Sequence, residues 1–207
     1  MKKSEYWENY YKQHSTPTIP SQFGAFASSE MPQGAIVIEI GCGNGRDSLF
    51  FAKYGFRTIG VDRSQEAIAF CNGLAKQNSL AARFICSDVK DIGNTIDFSE
   101  YITGSPVSIY SRFFLHSITD EEECVFLKFV KNTLDKYGGK LFLEFRTDRD
   151  RELHKVTRQH FRRFIKPFDF INRVTQAGLN ITYFTEGFGF AKYIDEDAHV
   201  ARIVLTA

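Results

Sequence analysis

Residues 35–52 read AIVIEIGCGNGRDSLFFA. Ala35 to Ile40 form an apolar, β-branched run of the kind that fills a parallel strand buried on both faces. Asp47 to Tyr54 carries apolar residues at helical spacing, and Gly55 is placed to stop that helix. Between them lies the turn Gly41-Cys42-Gly43-Asn44-Gly45. A strand, a glycine-rich turn and a helix in that order make the first unit of a nucleotide-binding α/β sheet. The glycines let the backbone turn sharply and keep side chains away from a ligand laid on the main chain.

The spacing separates one class of nucleotide from another. A dinucleotide fingerprint is G-x-G-x-x-G, with the pyrophosphate on the helix N-terminus. Here the pattern is G-x-G-x-G, and Arg46 stands where the third dinucleotide glycine belongs. Glu39, two places before the first glycine, suits a ligand with an ammonium group and repels a pyrophosphate. The stretch resembles motif I of the class I S-adenosylmethionine-dependent methyltransferases, E-x-G-x-G-x-G.

Composition sets the frame for that resemblance. The 207 residues fit one domain with a real core, and 43% hydrophobic with 25% charged residues is ordinary for a soluble chain. A net charge of +1 gives no global reason to expect nucleic acid or membrane as a partner. Cys42, Cys71, Cys86 and Cys124 are far apart and include no CxxC, so neither a metal site nor a disulfide framework is expected. Buried, reduced thiols in a cytoplasmic protein are the expectation. No signal peptide and no apolar run of membrane length is visible.

Along the chain, the N-terminal segment is rich in aromatics: Tyr6, Trp7, Tyr10, Tyr11, Phe23 and Phe26, interrupted by Pro17 and Pro20. A short helix over Lys3 to Lys12 is predicted. Residues 1–30 serve either as a buttress of the sheet edge or as a lid whose tyrosine faces the sulfonium. Phe56 to Asp62 is a second strand ending in an acid, and Asp62 is placed to accept hydrogen bonds from ribose hydroxyls. Ser64 can cap the following helix, which runs to about Gln77, and so frees Asp62. Arg83 to Cys86 is a third strand, closed by Ser87-Asp88-Val89. Val107 to Tyr110 is a fourth, followed by Ser111-Arg112-Phe113-Phe114-Leu115-His116. Thr119-x-x-Glu122 is a capping box for a helix to about Leu134, and Lys140 to Phe145 is the fifth strand. A last helix spans Phe168 to Ala177. Ile181 to Phe184 and Val200 to Leu205 are the closing antiparallel pair, with a bent loop around Gly187 and Gly189.

The resemblance covers nearly the whole chain and implies a single domain, 1–207. It is a doubly wound, Rossmann-like α/β sheet, mostly parallel with an antiparallel C-terminal strand. It implies S-adenosylmethionine as cofactor and no metal. The cofactor contacts would be Glu39, Gly41, Cys42, Gly43, Asn44, Gly45, Asp62, Arg63, Asp88, Val89 and Ser111. In that family the acid matching Asp88 lies beside the adenine amino group, and the backbone N–H matching Val89 meets a ring nitrogen. An Asp at a strand end is also a common turn former.

From 146 to 170 the chain turns basic. Arg146, Arg149, Arg151, Lys155, Arg158, Arg162, Arg163 and Lys166 outnumber Asp148, Asp150 and Glu152, and His154 and His160 join them. The segment leaves strand five on the ligand side. Arg146, His160, Arg162 and Arg163 are therefore candidates to bind an anionic acceptor, since arginine pairs with phosphate or carboxylate in a planar fork. The alternatives are pairing with acids of the same segment, or an acidic partner.

A narrower resemblance lies in the pieces YSRFFLHSI, HFRRF and GFAKYIDEDAHVARI. They look like those of bacterial methyltransferases linked to surface-polysaccharide synthesis, similar to the methyltransferase part of enzymes that cap O-antigen chains through a terminal phosphate. This implies O-methylation of a glycan or phosphate oxygen by in-line displacement, with donor and acceptor aligned by the protein. A sugar hydroxyl needs a base, for which His116 is the candidate; a phosphate oxygen does not, and His116, Arg112 and the arginines would then position it. The competing functions are methylation of another small metabolite, a nicotinamide-dependent oxidoreductase, which Arg46 argues against, and a protein that binds S-adenosylmethionine without transferring methyl.

Overall fold

The computed structural model describes residue 8 and residues 19–207, apart from 96–97, 99–103 and 156–160. Helix α1 (Gln22–Glu30) precedes strand β1 (Ile36–Ile40). Then follow α2 (Arg46–Lys53), β2 (Arg57–Asp62), α3 (Gln65–Gln77), β3 (Ala82–Cys86) and the single turn α4 (Ile92–Thr95). The second half holds β4 (Val107–Arg112), α5 (Asp120–Tyr137), β5 (Gly139–Arg146), α6 (Pro167–Gln176) and β6 (Asn180–Gly187). It closes with the short hairpin β7 (Lys192–Tyr193) and β8 (Glu196–Asp197), and with β9 (Val200–Thr206).

Seven strands form one sheet in the order β3-β2-β1-β4-β5-β9-β6. Every pairing from β3 to β5 is parallel. Strand β9 runs antiparallel between β5 and β6. This is the expected sheet, with its antiparallel C-terminal strand. The strand order reverses between β1 and β4, and a ligand crevice in such a sheet opens at the carboxyl ends of the strands flanking that reversal.

β1 is buried along its whole length because helices cover both faces. On one face α1 and α2 pack Phe23, Ala27 and Phe51 onto Val37, Tyr110, Phe142 and Val204. On the other, Phe126 and Val130 of α5 and Phe170 of α6 pack onto Ile36, Ile38, Ile109 and Leu143. Each large side chain so buried stabilises the fold by about 1.5–3 kcal/mol.

The local signals in the sequence act as expected. Ser64 Oγ accepts from the Ala67 N–H at 3.2 Å and caps α3. Thr119 and Glu122 make the reciprocal bonds of a capping box, at 3.3 and 2.8 Å. The structure adds to the reading of the sequence. β4 continues through Ser111 and Arg112, because β5 pairs with it to Glu144. The helix predicted over Lys3–Lys12 lies, apart from Glu8, outside the described residues, and α1 is a further helix beyond those predicted. Its sequence QFGAFASSE has little helical propensity, and Ser21 starts it by accepting from the Gly24 N–H at 2.8 Å. The bent loop after β6 contains the β7–β8 hairpin.

Candidate active site

The glycine turn sits at the carboxyl end of β1. Gly41, Gly43 and Gly45 have φ of +77°, +52° and +76°. Two of them are also required by space. A Cβ on Gly41 would come within 2.6 Å of the Phe114 ring, and one on Gly45 within 2.7 Å of Cys71 Sγ. The N–H groups of Gly41 and Cys42 both donate to the Val61 carbonyl, at 2.8 and 3.1 Å, which locks the turn to β2.

Asp62 ends β2 with a carboxylate that grips both flanking segments. Its Oδ2 accepts from the Gly43 N–H and its Oδ1 from the Ser64 N–H, each at 2.9 Å. Burial raises its pKa, against the hydrogen bonds from Ser64 and Gly43 that lower it. Each oxygen keeps a lone pair, so the group that fixes the turn can also receive hydroxyl donors. Arg63 follows it, and its Nη2 is a buried nitrogen with no hydrogen-bond partner among the described residues. A buried donor left open costs roughly 1–3 kcal/mol, and a ligand acceptor at that point would recover it. The glycine cradle, the carboxylate and the open donor all fit S-adenosylmethionine.

Asp88 lies at the end of β3, where its Oδ1 accepts from the Lys90 N–H at 3.0 Å, a turn bond of the kind its position allows. The Val89 side chain is in the main core. Asn44 is half-buried on the turn. Cys42 and Cys71 are buried thiols that both donate to the Gly43 carbonyl. Burial, with the nearby carboxylates, pushes both pKa values up, so they act as packing groups.

Glu39 is buried on β1, just before the turn. It is 4% exposed and accepts a hydrogen bond from Ser48 of α2. Burial and the neighbouring Asp47 raise its pKa well above the ordinary value. Asp47 in turn accepts from the Ser21 N–H and Oγ, both at 2.7 Å, and from the Tyr110 hydroxyl at 2.8 Å. The acids of this corner thus brace α1, α2 and β4 around the turn. Arg46, in the place of the missing glycine, donates to the carbonyls of Ile19 and Pro20 at 3.0 and 3.2 Å and lays that segment against the turn. Glu8 accepts from the N–H groups of Gln65 and Glu66 at 3.0 and 3.4 Å, at the start of α3.

Across the strand reversal, Ser111 Oγ donates to the Ile40 carbonyl at 2.8 Å and ties β4 to the start of the turn. Arg112, Glu144 and Arg202 are register partners on β4, β5 and β9. The fully buried Glu144 accepts from Arg112 Nε at 2.8 Å and from Arg202 Nε at 2.7 Å. His116 is buried, and its Nδ1 accepts from the Arg146 N–H at 3.4 Å.

In the basic segment, Arg146 is 5% exposed, with Nη1 donating to Asp150 at 2.7 Å and Nη2 to Glu196. Arg163 donates to Asp120 and, at 2.6 Å, to Glu123, while Arg173 takes the other oxygen of Glu123 at 2.5 Å. The Arg163 backbone N–H also donates to the His116 carbonyl at 2.7 Å. Asp150, within the segment, answers Arg146 as the pairing alternative expected, whereas Glu196, Asp120 and Glu123, which complete the pairing of these two arginines, come from outside it. Arg162 is half-buried near Lys155, where its charge helps to lower the lysine pKa after burial and against Asp150. His160 lies outside the described residues.

Sequence reasoning missed Asp47, Glu144, Arg202 and the pair Thr147–His199, whose Oγ1 and Nδ1 are 2.7 Å apart. A signal existed for two of them. Glu144 within LFLEF and Arg202 within VARIVL are charges inside apolar strands, and such a charge needs an opposite partner on a neighbouring strand.

Comparison with known proteins agrees with this geometry. Residues 37–138 match the family model of a methyltransferase domain. A ubiquinone biosynthesis O-methyltransferase of Coxiella burnetii is 30% identical over 112 residues, 53% of this chain and 43% of that protein. The match therefore spans less than half the length of the curated relative. Among solved structures, the CcbJ methyltransferase of Streptomyces caelestis superposes with a TM-score of 0.72 at 13% identity, over 100% of this chain and 99% of that one. The glycopeptide N-methyltransferase MtfA, complexed with S-adenosyl-L-methionine, gives 0.67 at 13% identity over 90% and 87%. Among the described residues no helix is long and apolar enough to cross a membrane. Residues 37–138 thus match a methyltransferase-domain family, within a fold that the chain shares with solved methyltransferases.

Proposed function

We propose that the protein transfers the methyl group of S-adenosylmethionine to an acceptor oxygen that already carries negative charge, such as a phosphate oxygen of a phosphorylated glycan. The observation that carries this reading is the Arg146 N–H bonded to His116 Nδ1. An imidazole whose Nδ1 lone pair receives a peptide N–H carries its own proton on Nε2. With Nδ1 occupied, that nitrogen of His116 is not open to take a proton from a neutral hydroxyl. For an oxygen that is already anionic, alignment of nucleophile and methyl group supplies the rate, and no base is needed.

Gly41, Gly43, Asp62, Arg63, Asp88 and the Val89 backbone would hold the donor. Its sulfonium supplies the electrophilic methyl group, and the chain's residues bind and orient. The sequence pieces shared with polysaccharide-linked methyltransferases support a phosphorylated glycan. The O-methyltransferase name of the curated relatives supports oxygen as the methylated atom and keeps a small phenolic acceptor as the second reading.

The test is incubation with methyl-labelled S-adenosylmethionine and matched panels of phosphorylated glycans, their dephosphorylated forms and small phenols. Label is expected on the phosphorylated members and lost on dephosphorylation. Label on neutral hydroxyls alone would overturn the reading.

A further inference from the structure

We infer that Phe188 and His199 form a sugar-binding subsite on the ligand-side rim of the sheet, where the Phe188 ring stacks under a pyranose and His199 Nε2 hydrogen-bonds one of its hydroxyls. This deepens the proposed function and rests on its glycan reading.

The place follows from strand register. Arg146 at the end of β5 pairs with Val200 at the start of β9, and Val200 pairs with Gly187 at the end of β6. Phe188 and His199 are the next residues out from Gly187 and Val200, so both stand on the edge of the sheet at which β1, β4 and β5 end. Thr147 follows Arg146 on that edge, and its N–H donates to the His199 carbonyl at 3.1 Å. The Arg146 N–H meets His116 Nδ1. The pair thus borders the strand end that carries the His116 contact.

His199 is 3% exposed and held from several sides. Its Nδ1 lies 2.7 Å from Thr147 Oγ1, and its N–H donates to Asp150 Oδ1 at 3.0 Å. Its Nε2 has no hydrogen-bond partner among the described residues and is not sealed from solvent. Buried polar groups are nearly always hydrogen-bonded, and a ligand hydroxyl would complete this one. A hydroxyl both donates and accepts, so it suits Nε2 in either tautomer.

The Phe188 ring meets the His199 ring at 4.8 Å between centres, with the planes at 87°. It is nevertheless 56% exposed, and no cation or other ring contacts it among the described residues. A single exposed phenylalanine is ordinary. This one differs because its surroundings are tied down. The Gly189 N–H donates to Asp197 Oδ1 at 2.8 Å, and Glu196 of the same hairpin is bound to buried Arg146. An aromatic face carries the negative side of the ring quadrupole and attracts polarised C–H groups. A pyranose presents C–H groups on its face and hydroxyls at its rim, which matches a fixed ring beside one open imidazole nitrogen.

Calorimetric titration of the full chain, saturated with S-adenosylhomocysteine, is the test. The probes are the 1-phosphates of glucose, galactose and mannose, the matching methyl glycosides, inorganic phosphate and phenol. The variants are Phe188→Leu, Phe188→Tyr and His199→Asn, whose amide can still reach Thr147 but has nothing at the place of Nε2; thermal melting confirms that each is folded. Phe188→Leu and His199→Asn should each weaken at least one hexose phosphate about fivefold, while Phe188→Tyr binds as the wild type and S-adenosylhomocysteine and inorganic phosphate are unchanged. If His199→Asn melts early, a shift of the wild-type His199 Nε2 resonance on adding the sugar replaces it, and no shift counts against the inference. The same losses with methyl glycosides of equal affinity would keep the subsite and remove the charged acceptor of the proposed function. The inference is overturned if no sugar binds the wild type, if phenol alone responds to Phe188→Leu, or if S-adenosylhomocysteine weakens in step. It is also overturned if the hexose phosphates bind all forms equally, which would leave the phosphate reading standing.

Discussion

The carboxyl ends of β1, β2 and β3 and those of β4, β5 and β9 lie side by side along one edge of the sheet, yet they are built differently. In the first region the polar contacts are short-range in sequence or follow a fixed spacing: Asp62 to Ser64, Asp88 to Lys90, Gly43 to Asp62. In the second they join residues far apart, such as Arg112 with Glu144, Glu144 with Arg202, Arg146 with Glu196 and Arg163 with Glu123. The first region leaves backbone and carboxylate acceptors open to a ligand. The second consumes most of its charge internally. A cluster of arginines in sequence is therefore a count of donors, and only the distribution of their partners says which are left for a substrate.

The strongest way to break this contrast is at Glu144. Replacing it with Gln leaves Arg112 and Arg202 in a buried rung without their counter-charge, and should cost about 3–5 kcal/mol of stability in denaturant unfolding. A loss under about 1 kcal/mol, the range of surface pairs, would mean that the rung is not a buried network. Next is Asp62→Asn, in which the amide nitrogen cannot accept from the Gly43 N–H. Affinity for S-adenosylhomocysteine should fall by about 1–3 kcal/mol with little change in melting. Unchanged affinity would remove Asp62 from the site.

Arg163→Met sharpens the other side. It strips one partner from Glu123 while Arg173 remains, and should lower stability by about 1–2 kcal/mol with cofactor affinity and the acceptor's KM unchanged. A raised KM at constant stability would return this arginine to the substrate. The smallest effect is a change of slope. The folded-state pKa values of Glu39 and Asp62 lie above the ordinary 4.5 and 3.8. Below those values both states are protonated. As pH rises past them the unfolded chain ionises first, so these two groups make stability fall with pH until they ionise in the folded protein. Glu39→Gln should flatten that decline; a decline of equal slope in the variant would show that Glu39 does not cause it.

The reading of the sequence followed the same division. The strands from β1 to β5, the capping of α3 and α5 and the glycine turn were legible because each is encoded by neighbours a few residues apart. So was the place of Asp62 at the end of β2. Glu144 and Arg202 were not, because their pairing depends on which strands become neighbours, and β9 enters the sheet between β5 and β6 from the end of the chain. Arg46 was read only as a missing glycine; its bonds to Ile19 and Pro20 follow from where α1 docks. Of the acids that neutralise Arg146 and Arg163, Asp150 lies in the basic segment where partners were sought, while Asp120 and Glu123 come from α5 and Glu196 from the β7–β8 hairpin.

Hydrogen–deuterium exchange of the full chain, with and without S-adenosylhomocysteine, tests the central claim most directly. The account predicts added protection at residues 41–45, 60–64 and 86–90, with residues 144–150 and 196–202 unchanged. Protection centred on the second region, or none at the glycine turn under saturating ligand, would contradict it.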